Sequence, residues 1–243
     1  MASSSLPKRV LLSITSYNGP FYPNGDNTGL FYTEALHPYQ GFKEAGFEVV
    51  LASETGTYGI DSHSIDKTFM ADGDFEIFND KNSDFSQALA NIRKASDLNP
   101  EDFGVFFASA GHATLFDYPK ATGLIKIAES VWARGGVVSA VCHGPAILPA
   151  IKDAKTGKSI IDGKTVTGFT DLGEEQLGLA QQIKELGLVP ISEGAKGAGA
   201  TYKEPPGGPF DDFSITDGRL VTGTNPASAH STAVKAIAAF NSL

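Results

Sequence analysis

The chain is poor in the residues that build covalent or metal frameworks. A single cysteine, Cys142, stands in 243 residues. That excludes an internal disulfide and any zinc site made of several thiolates, and it fits a reducing compartment. Positive charge is also scarce. Lys and Arg number 19 against 28 Asp and Glu, a net of −9, with no basic cluster. Such a surface repels a phosphate backbone, so nucleic acid is not an expected partner. Long apolar runs are missing too. The opening MASSSLPKRVLLSITSYNGP carries too short an apolar stretch for a signal peptide. The longest segment without Asp, Glu, Lys or Arg, 135–151, is shorter than a membrane span and is interrupted by glycines, prolines and a His. Histidines 37, 63, 112, 143 and 230 show no HExxH or comparable spacing. The glycines of 194–199 follow no strand and lack the Lys-Ser/Thr pair of a phosphate loop. A soluble intracellular chain with no metal, no cofactor and no membrane contact is expected.

What is present is strand–helix alternation. RVLLSIT (9–15), FEVVLAS (47–53), FGVFFAS (103–109), GGVVSAV (135–141) and KTVTGF (164–169) read as strands, several of them continuously apolar as in strands covered on both faces. Helices are expected near 28–45, 84–95, 120–134, 145–151 and 174–186, and again after Asn225, which can cap with Pro226 in the first helical position. SITDGRLVT (214–222) reads as a hairpin turning on Asp217-Gly218. The Gly- and Pro-rich stretch 188–212 reads as loop with one edge strand. No repeat and no domain boundary is visible. The pattern predicts one α/β domain over 1–243, with a mostly parallel sheet and helices on both faces.

Within that frame, GGVVSAVCHGPAI (135–147) places Cys142 between a β-branched run and a Gly-Pro that opens a helix. Strand, sharp turn, helix is the layout of a nucleophile elbow at the carboxyl end of a sheet. A helix N-terminus there favours thiolate. The competing reading is a small buried hydrophobe. His143 follows directly, but adjacent side chains rarely face each other unless the turn is strained. Glu34 shares a helix face with Leu30 and Phe31, ahead of a Pro38 expected to bend or end the helix. An inward carboxylate there would have a raised pKa; the alternative is a Glu at the stripe's edge, reaching water. Glu174 sits three residues after Asp171, a capping-box spacing with a structural explanation of its own. After the strand ending near 109, SAGHATLFDYP offers the N–H groups of Ala110 and Gly111 as an oxyanion site, with His112 either facing a ligand or lying on the surface.

Together, AVCHGPA, TEALHPY, ASETG, FFASAGHATLFDYPKA, GFTDLGEE and DDFSITDGRLVTGTNPASAHSTA resemble the fungal glutathione-independent glyoxalases, or glyoxalase III. These form the heat-shock-protein-thirty-one-like branch of the PfpI/DJ superfamily. The resemblance runs over nearly the whole chain. It implies a flavodoxin-like three-layer α/β sandwich, a homodimer, and conversion of methylglyoxal to lactate and glyoxal to glycolate under stress. It also implies Cys142 as nucleophile, His143 as its neighbouring base, Glu174 as the acid orienting that histidine, and Glu34 hydrogen-bonded to the cysteine. Gly111 and His143 would supply oxyanion donors. The resemblance permits other activities as well: a holding chaperone for partly unfolded proteins, a protein deglycase or peptidase, and an oxidation sensor. The location would be cytoplasmic, nuclear or both. Two positions depart from the pattern, Ala113 where relatives have Gly and Phe210 where they have Trp. If position 113 needs positive φ, Ala113 strains its loop.

Overall fold

Parallel strands buried on both faces need helices above and below them, and the chain supplies both. A computed structural model describes residues 6–243, so the part of the N-terminal reading that rests on residues 1–5 lies outside the described residues. Seven strands form the main sheet: β1 (Arg9–Ser13), β4 (Glu48–Ser53), β5 (Arg93–Lys94), β6 (Val105–Ala108), β7 (Val137–Val141), β10 (Ser214–Asp217) and β11 (Leu220–Gly223). Their order is β10-β11-β7-β6-β1-β4-β5. Only the β10–β11 hairpin is antiparallel. Two small ribbons stand apart, β2 (Gly19–Pro20) with β3 (Asn27–Thr28), and β8 (Thr165–Val166) with β9 (Thr201–Tyr202).

The helices are α1 (Thr33–Glu44), α2 (Asp72–Asn79), α3 (Asp84–Ala90), α4 (Thr114–Asp117), α5 (Thr122–Ala133), α6 (Asp171–Leu177), α7 (Ala180–Glu185), α8 (Ile191–Gly197) and α9 (Ala229–Asn241). The two sheet faces carry separate cores. Val10 and Leu12 of β1 pack with Ala35, Leu36 and Phe42 of α1 and with Ala233 and Ala236 of α9. Leu11, between them, packs on the other side with Leu124, Ile127 and Val131 of α5. Continuous apolar strands are therefore two alternating faces, each covered. This is the three-layer sandwich expected, with its β7 elbow beside the sheet's central strands.

Several expected elements differ, for local reasons. The helix placed at 28–45 begins at Thr33, because 28–31 runs extended: Thr28 pairs with Gly19 and Leu30 bridges Ile60. It passes Pro38 without stopping and ends at Glu44; the proline removes one bond in the second turn, and the buried face of Leu36, Tyr39 and Phe42 keeps the helix packed. The segment 145–151 is a 3-10 helix (Gly144–Ala150), not α, with Pro145 and Pro149 each lacking a donor. The expected strand 164–169 shrinks to β8 and leaves the main sheet. The helix expected at 174–186 starts at Asp171 and breaks into α6 and α7 where Gly178 turns left-handed. Within 188–212, read as loop, Ile191–Gly197 forms α8, burying Ile191, Ser192 and Ala195. The helix at 84–95 closes at Ala90. No helix among the described residues is long and apolar enough to cross a membrane.

One long-range cap joins the layers. The start of α5 has no local side-chain cap. Instead the carboxylate of Glu54, just after β4, accepts the Gly123 N–H at 3.0 Å and the Leu124 N–H at 3.1 Å. Glu54→Ala is expected to lower stability by about 1 kcal/mol, the usual worth of a helix cap, seen as a shifted urea midpoint with an unchanged slope.

Candidate active site

At the end of β7 the backbone turns so abruptly that Cys142 adopts φ 55, the one positive-φ residue other than glycine among those described. For a residue with a Cβ this conformation costs on the order of 1 kcal/mol or more. It persists because both sides are tied. The Cys142 N–H donates to the Gly223 carbonyl of β11 at 3.0 Å, and its carbonyl accepts the Phe169 N–H at 2.8 Å. The turn brings adjacent side chains face to face: Cys142 Sγ lies 3.3 Å from His143 Nδ1. The strain that a Cys-His pair requires is present.

His143 Nε2 lies 2.6 Å from Glu174 Oε1, and His112 Nε2 lies 3.0 Å from Glu174 Oε2. A carboxylate only accepts, so both Nε2 atoms carry protons and His143 Nδ1 is left to accept from the thiol. Glu174 reaches the imidazoles because it is not a capping-box residue. The cap of α6 is Thr170, whose hydroxyl accepts the Gly173 N–H, one residue earlier than expected. The rings are sandwiched: Phe169 stacks on His143 at 4.8 Å and Phe21 on His112 at 4.6 Å. His112 is buried here rather than placed on the surface.

Burial sets the charges. Cys142 is 4 % exposed and Glu34 0 %. Burial pushes the thiol well above its usual range, the charges of Glu34 and Glu174 push it further, and the His143 N–H acts the other way. Desolvation and two nearby carboxylates thus work against the thiolate that a helix start favours. Glu34 Oε1 and Oε2 have no hydrogen-bond partner among the described residues, so the expected bond to Cys142 is not made, although the two groups lie close enough to shift each other's titration. Its pKa is pushed up to about 8 by burial, with the Cys142 thiol opposing and Asp61 adding to the rise. His143 is pushed down to about 4 by burial and by His112, against the pull of Glu174. Burial also works to raise Glu174, but the two imidazoles outweigh it and hold the carboxyl below its ordinary value. The site therefore holds a neutral thiol and carboxyl on one side and an ionised carboxylate between two imidazoles on the other.

The turn after β6 lies opposite. Gly111 has φ 124, and a Cβ there would overlap the Gly29 carbonyl. Its N–H, like that of Ala110, meets no acceptor among the described residues. Ala113 adopts helical angles (φ −53, ψ −31), so the alanine strains nothing. Two cavities adjoin the site. One of about 320 Å³ is lined by Tyr22, Phe31, His63 and His112. The other, about 510 Å³, is lined by Thr33, Phe210 and Asn225. Phe69 and Leu177 border both. Phe210 stands at the rim, 6.3 Å from Phe169.

His112, His143 and Glu174 are also the one group among the described residues whose donor atoms converge closely enough to hold a metal ion, a convergence their sequence spacing hides. The fit is poor. The 2.6 Å contact between His143 and Glu174 is shorter than the about 3.3 Å separating ligands on a tetrahedral zinc, and both nitrogens carry protons. Sequence reasoning missed Asp61, Tyr22 and Phe21, which wall the site from the segments before α1 and α2. Their only local signal is the turn-forming Asp61-Ser62-His63, where Asp61 accepts the His63 N–H.

Residues 29–239 match the model of the DJ-1/PfpI family. The chain is 55% identical to Glyoxalase 3 of Candida albicans, covering 96% of this chain and 98% of that protein. It is 54% identical to the glutathione-independent glyoxalase HSP31 of Saccharomyces cerevisiae, over 95% of this chain and 97% of the relative. Among solved structures, glyoxalase III of Candida albicans superposes with a TM-score of 0.93, covering 96% of this chain and 97% of that one.

Ionising Glu34 costs the folded state, because its folded pKa of about 8 lies above the ordinary 4.5. Below both values the cost is nil; it grows as pH rises through that window and is complete above about 8. Glu34→Gln is expected to gain stability over wild type across this interval, by on the order of a few kcal/mol. Melting temperatures of both proteins from pH 5 to 9 check this; a pH-independent difference contradicts it.

Proposed function

The chain belongs to the DJ-1/PfpI family and is a glutathione-independent glyoxalase; we propose that Cys142, His143, Glu174 and Glu34 carry its conversion of methylglyoxal to lactate, and of glyoxal to glycolate. The observation that carries this assignment of roles is a strained, buried thiol with an unpartnered buried carboxyl close by and a carboxylate-oriented imidazole on its other side.

The reaction follows from where the protons stand. As Cys142 Sγ attacks the aldehyde carbon, its proton passes to His143 Nδ1, and the carbonyl oxygen takes a proton from Glu34, giving a hemithioacetal. Glu34, now ionised, removes the hydrogen at C1. The electron pair moves into a C1–C2 double bond, and the C2 oxygen takes the proton held by His143, forming an enediol. Glu34 returns its proton to C2 while the C1 hydroxyl gives its own back to His143, which leaves a thioester. Water cleaves the C–S bond: its hydrogen restores the thiol, and its hydroxyl gives lactic acid, which leaves as lactate and one proton. The proton on His143 returns to Glu34, so that both regain their resting states. A carboxyl with a pKa of about 8 can both donate and accept near neutral pH. The C1 oxygen gathers negative charge on attack, and the unpartnered N–H of Gly111 and the N–H of His143 suit it. Thus Cys142, His143, Glu174 and Glu34 are the proposed catalytic and orienting groups, with Gly111, Ala110 and His112 around the substrate.

The reading takes residues 1–243 as one domain, since the main sheet draws strands from residue 9 to residue 223. A homodimer and a cytoplasmic or nuclear location are part of the proposal on resemblance alone.

Purified wild type is expected to form lactate from methylglyoxal without glutathione. Cys142→Ala should abolish turnover, and Glu34→Gln should lower kcat about a hundredfold or more, as for loss of a general acid–base. A folded Glu34→Gln with full activity would remove Glu34 from the reaction. With His143 neutral down to about pH 4, kcat should hold through pH 6, where an ordinary histidine base would already be lost.

A further inference from the structure

Asp61 is wholly buried; beyond its share in raising Glu34, the reaction above gives it no role. It caps the short turn Ser62–Ile65, accepting the His63 N–H on Oδ1 at 2.9 Å. Its Oδ2 accepts the hydroxyls of Tyr22 at 2.9 Å and Thr28 at 2.8 Å. Three donors satisfy a buried carboxylate, and they fix a direction: the carboxylate has no proton to give, so both hydroxyls must donate. The Thr28 hydroxyl, its one proton committed, is left as an acceptor. It accepts the Ala113 N–H at 3.1 Å.

That bond falls on one side of Gly111. On the other side, the Phe31 N–H donates to the Ala110 carbonyl at 2.9 Å. Residues 28–31 therefore grip the 110–113 turn at both ends, with Gly111 between. They are themselves anchored, since the Asp61 N–H donates to the Leu30 carbonyl at 2.9 Å and the Leu30 N–H to the Gly59 carbonyl at 2.8 Å. Asp61 also ties Tyr22 into this frame, next to the Phe21 ring stacked on His112. An oxyanion donor works only if it is already placed where charge develops. Thr114 at the start of α4 holds the Gly111 carbonyl through its N–H and hydroxyl, and residues 28–31 hold the other edge of the turn.

We infer that Asp61 is a positioning residue for the reaction, holding the 110–113 turn through the Thr28 hydroxyl so that the Gly111 N–H stands ready for the oxyanion. This rests on the glyoxalase reading. Because Thr28 is the link, the hydroxyl and not the bulk of its side chain should matter.

The test measures kcat and KM for methylglyoxal by lactate formation, with wild type alongside. Thr28→Val, which removes the hydroxyl at similar volume, should lower kcat about tenfold to a hundredfold with KM changed less than about threefold. Thr28→Ser, which keeps the hydroxyl, should return kcat to within about threefold of wild type. Asp61→Asn should fall at least as far as Thr28→Val, and the double variant no further than Asp61→Asn, because both break one chain. A folded Thr28→Val with wild-type kcat overturns the inference, and so does a Thr28→Ser as impaired as Thr28→Val. If wild type itself makes no lactate, the glyoxalase reading has failed and takes this one with it; if wild type turns over and the Thr28 variants match it, only the positioning role is lost.

Discussion

A thiol and a carboxyl, both buried and close enough to act on each other's charge, set the terms for the rest of this molecule. Neither Cys142 nor Glu34 can ionise cheaply, and ionising both would place two like charges together in a medium that screens them poorly. The pair therefore rests neutral, holding protons that a carbonyl substrate can take up. The elbow makes this possible. A left-handed Cys142 is tolerated because β11 and the segment before α6 each hold one side of its peptide, and those elements exist because the sheet is covered on both faces. Strain at one residue is thus supported by packing across two layers.

The ionised half of the site is kept apart from the neutral half by a single ring. His143 touches both, with Nδ1 at the thiol and Nε2 at Glu174. Glu174 bears the charge because two imidazole N–H groups face its two oxygens, which makes His112 more than a wall of the cavity. The aromatic rings of Phe169 and Phe21 close over both imidazoles. They exclude water from the hydrogen bonds, and this strengthens the bonds and fixes the tautomer. The charge pattern is carried by orientation more than by composition.

Much of this was legible in the sequence, for identifiable reasons. Strands β1, β4, β6 and β7 are short, apolar and bounded by turns, so their pattern survives without tertiary knowledge. The β10–β11 hairpin is announced by Asp217-Gly218, although its two turn residues are Gly218 and Arg219 and Asp217 pairs with Leu220. The elbow is announced by an apolar run that ends at Cys-His-Gly-Pro. Glu34 could be suspected from its place beside Leu30 and Phe31, although those two lie before the helix begins. Other features depend on contacts distant in the chain. Glu174 has the spacing of a capping residue, and only the shift of the cap to Thr170 frees it. The fate of His112 is decided 62 residues away, at Glu174. Asp61 and Thr28 sit in turns without periodicity, and α8 lies in a stretch whose glycines and prolines argue for loop. A helix terminus beside Cys142 is visible in sequence, whereas the burial that raises its thiol is not.

The central claim is that the elbow thiol is protonated at rest. It is tested most directly by the ultraviolet absorbance of the thiolate, taken as wild type minus Cys142→Ala, while pH is raised from the acid side. No thiolate signal is expected at neutral pH, with its onset above the ordinary cysteine range of about 8.5. A full signal at or below neutral pH would show a stable resting thiolate, and the neutral thiol–carboxyl pair with Glu34 would then be wrong.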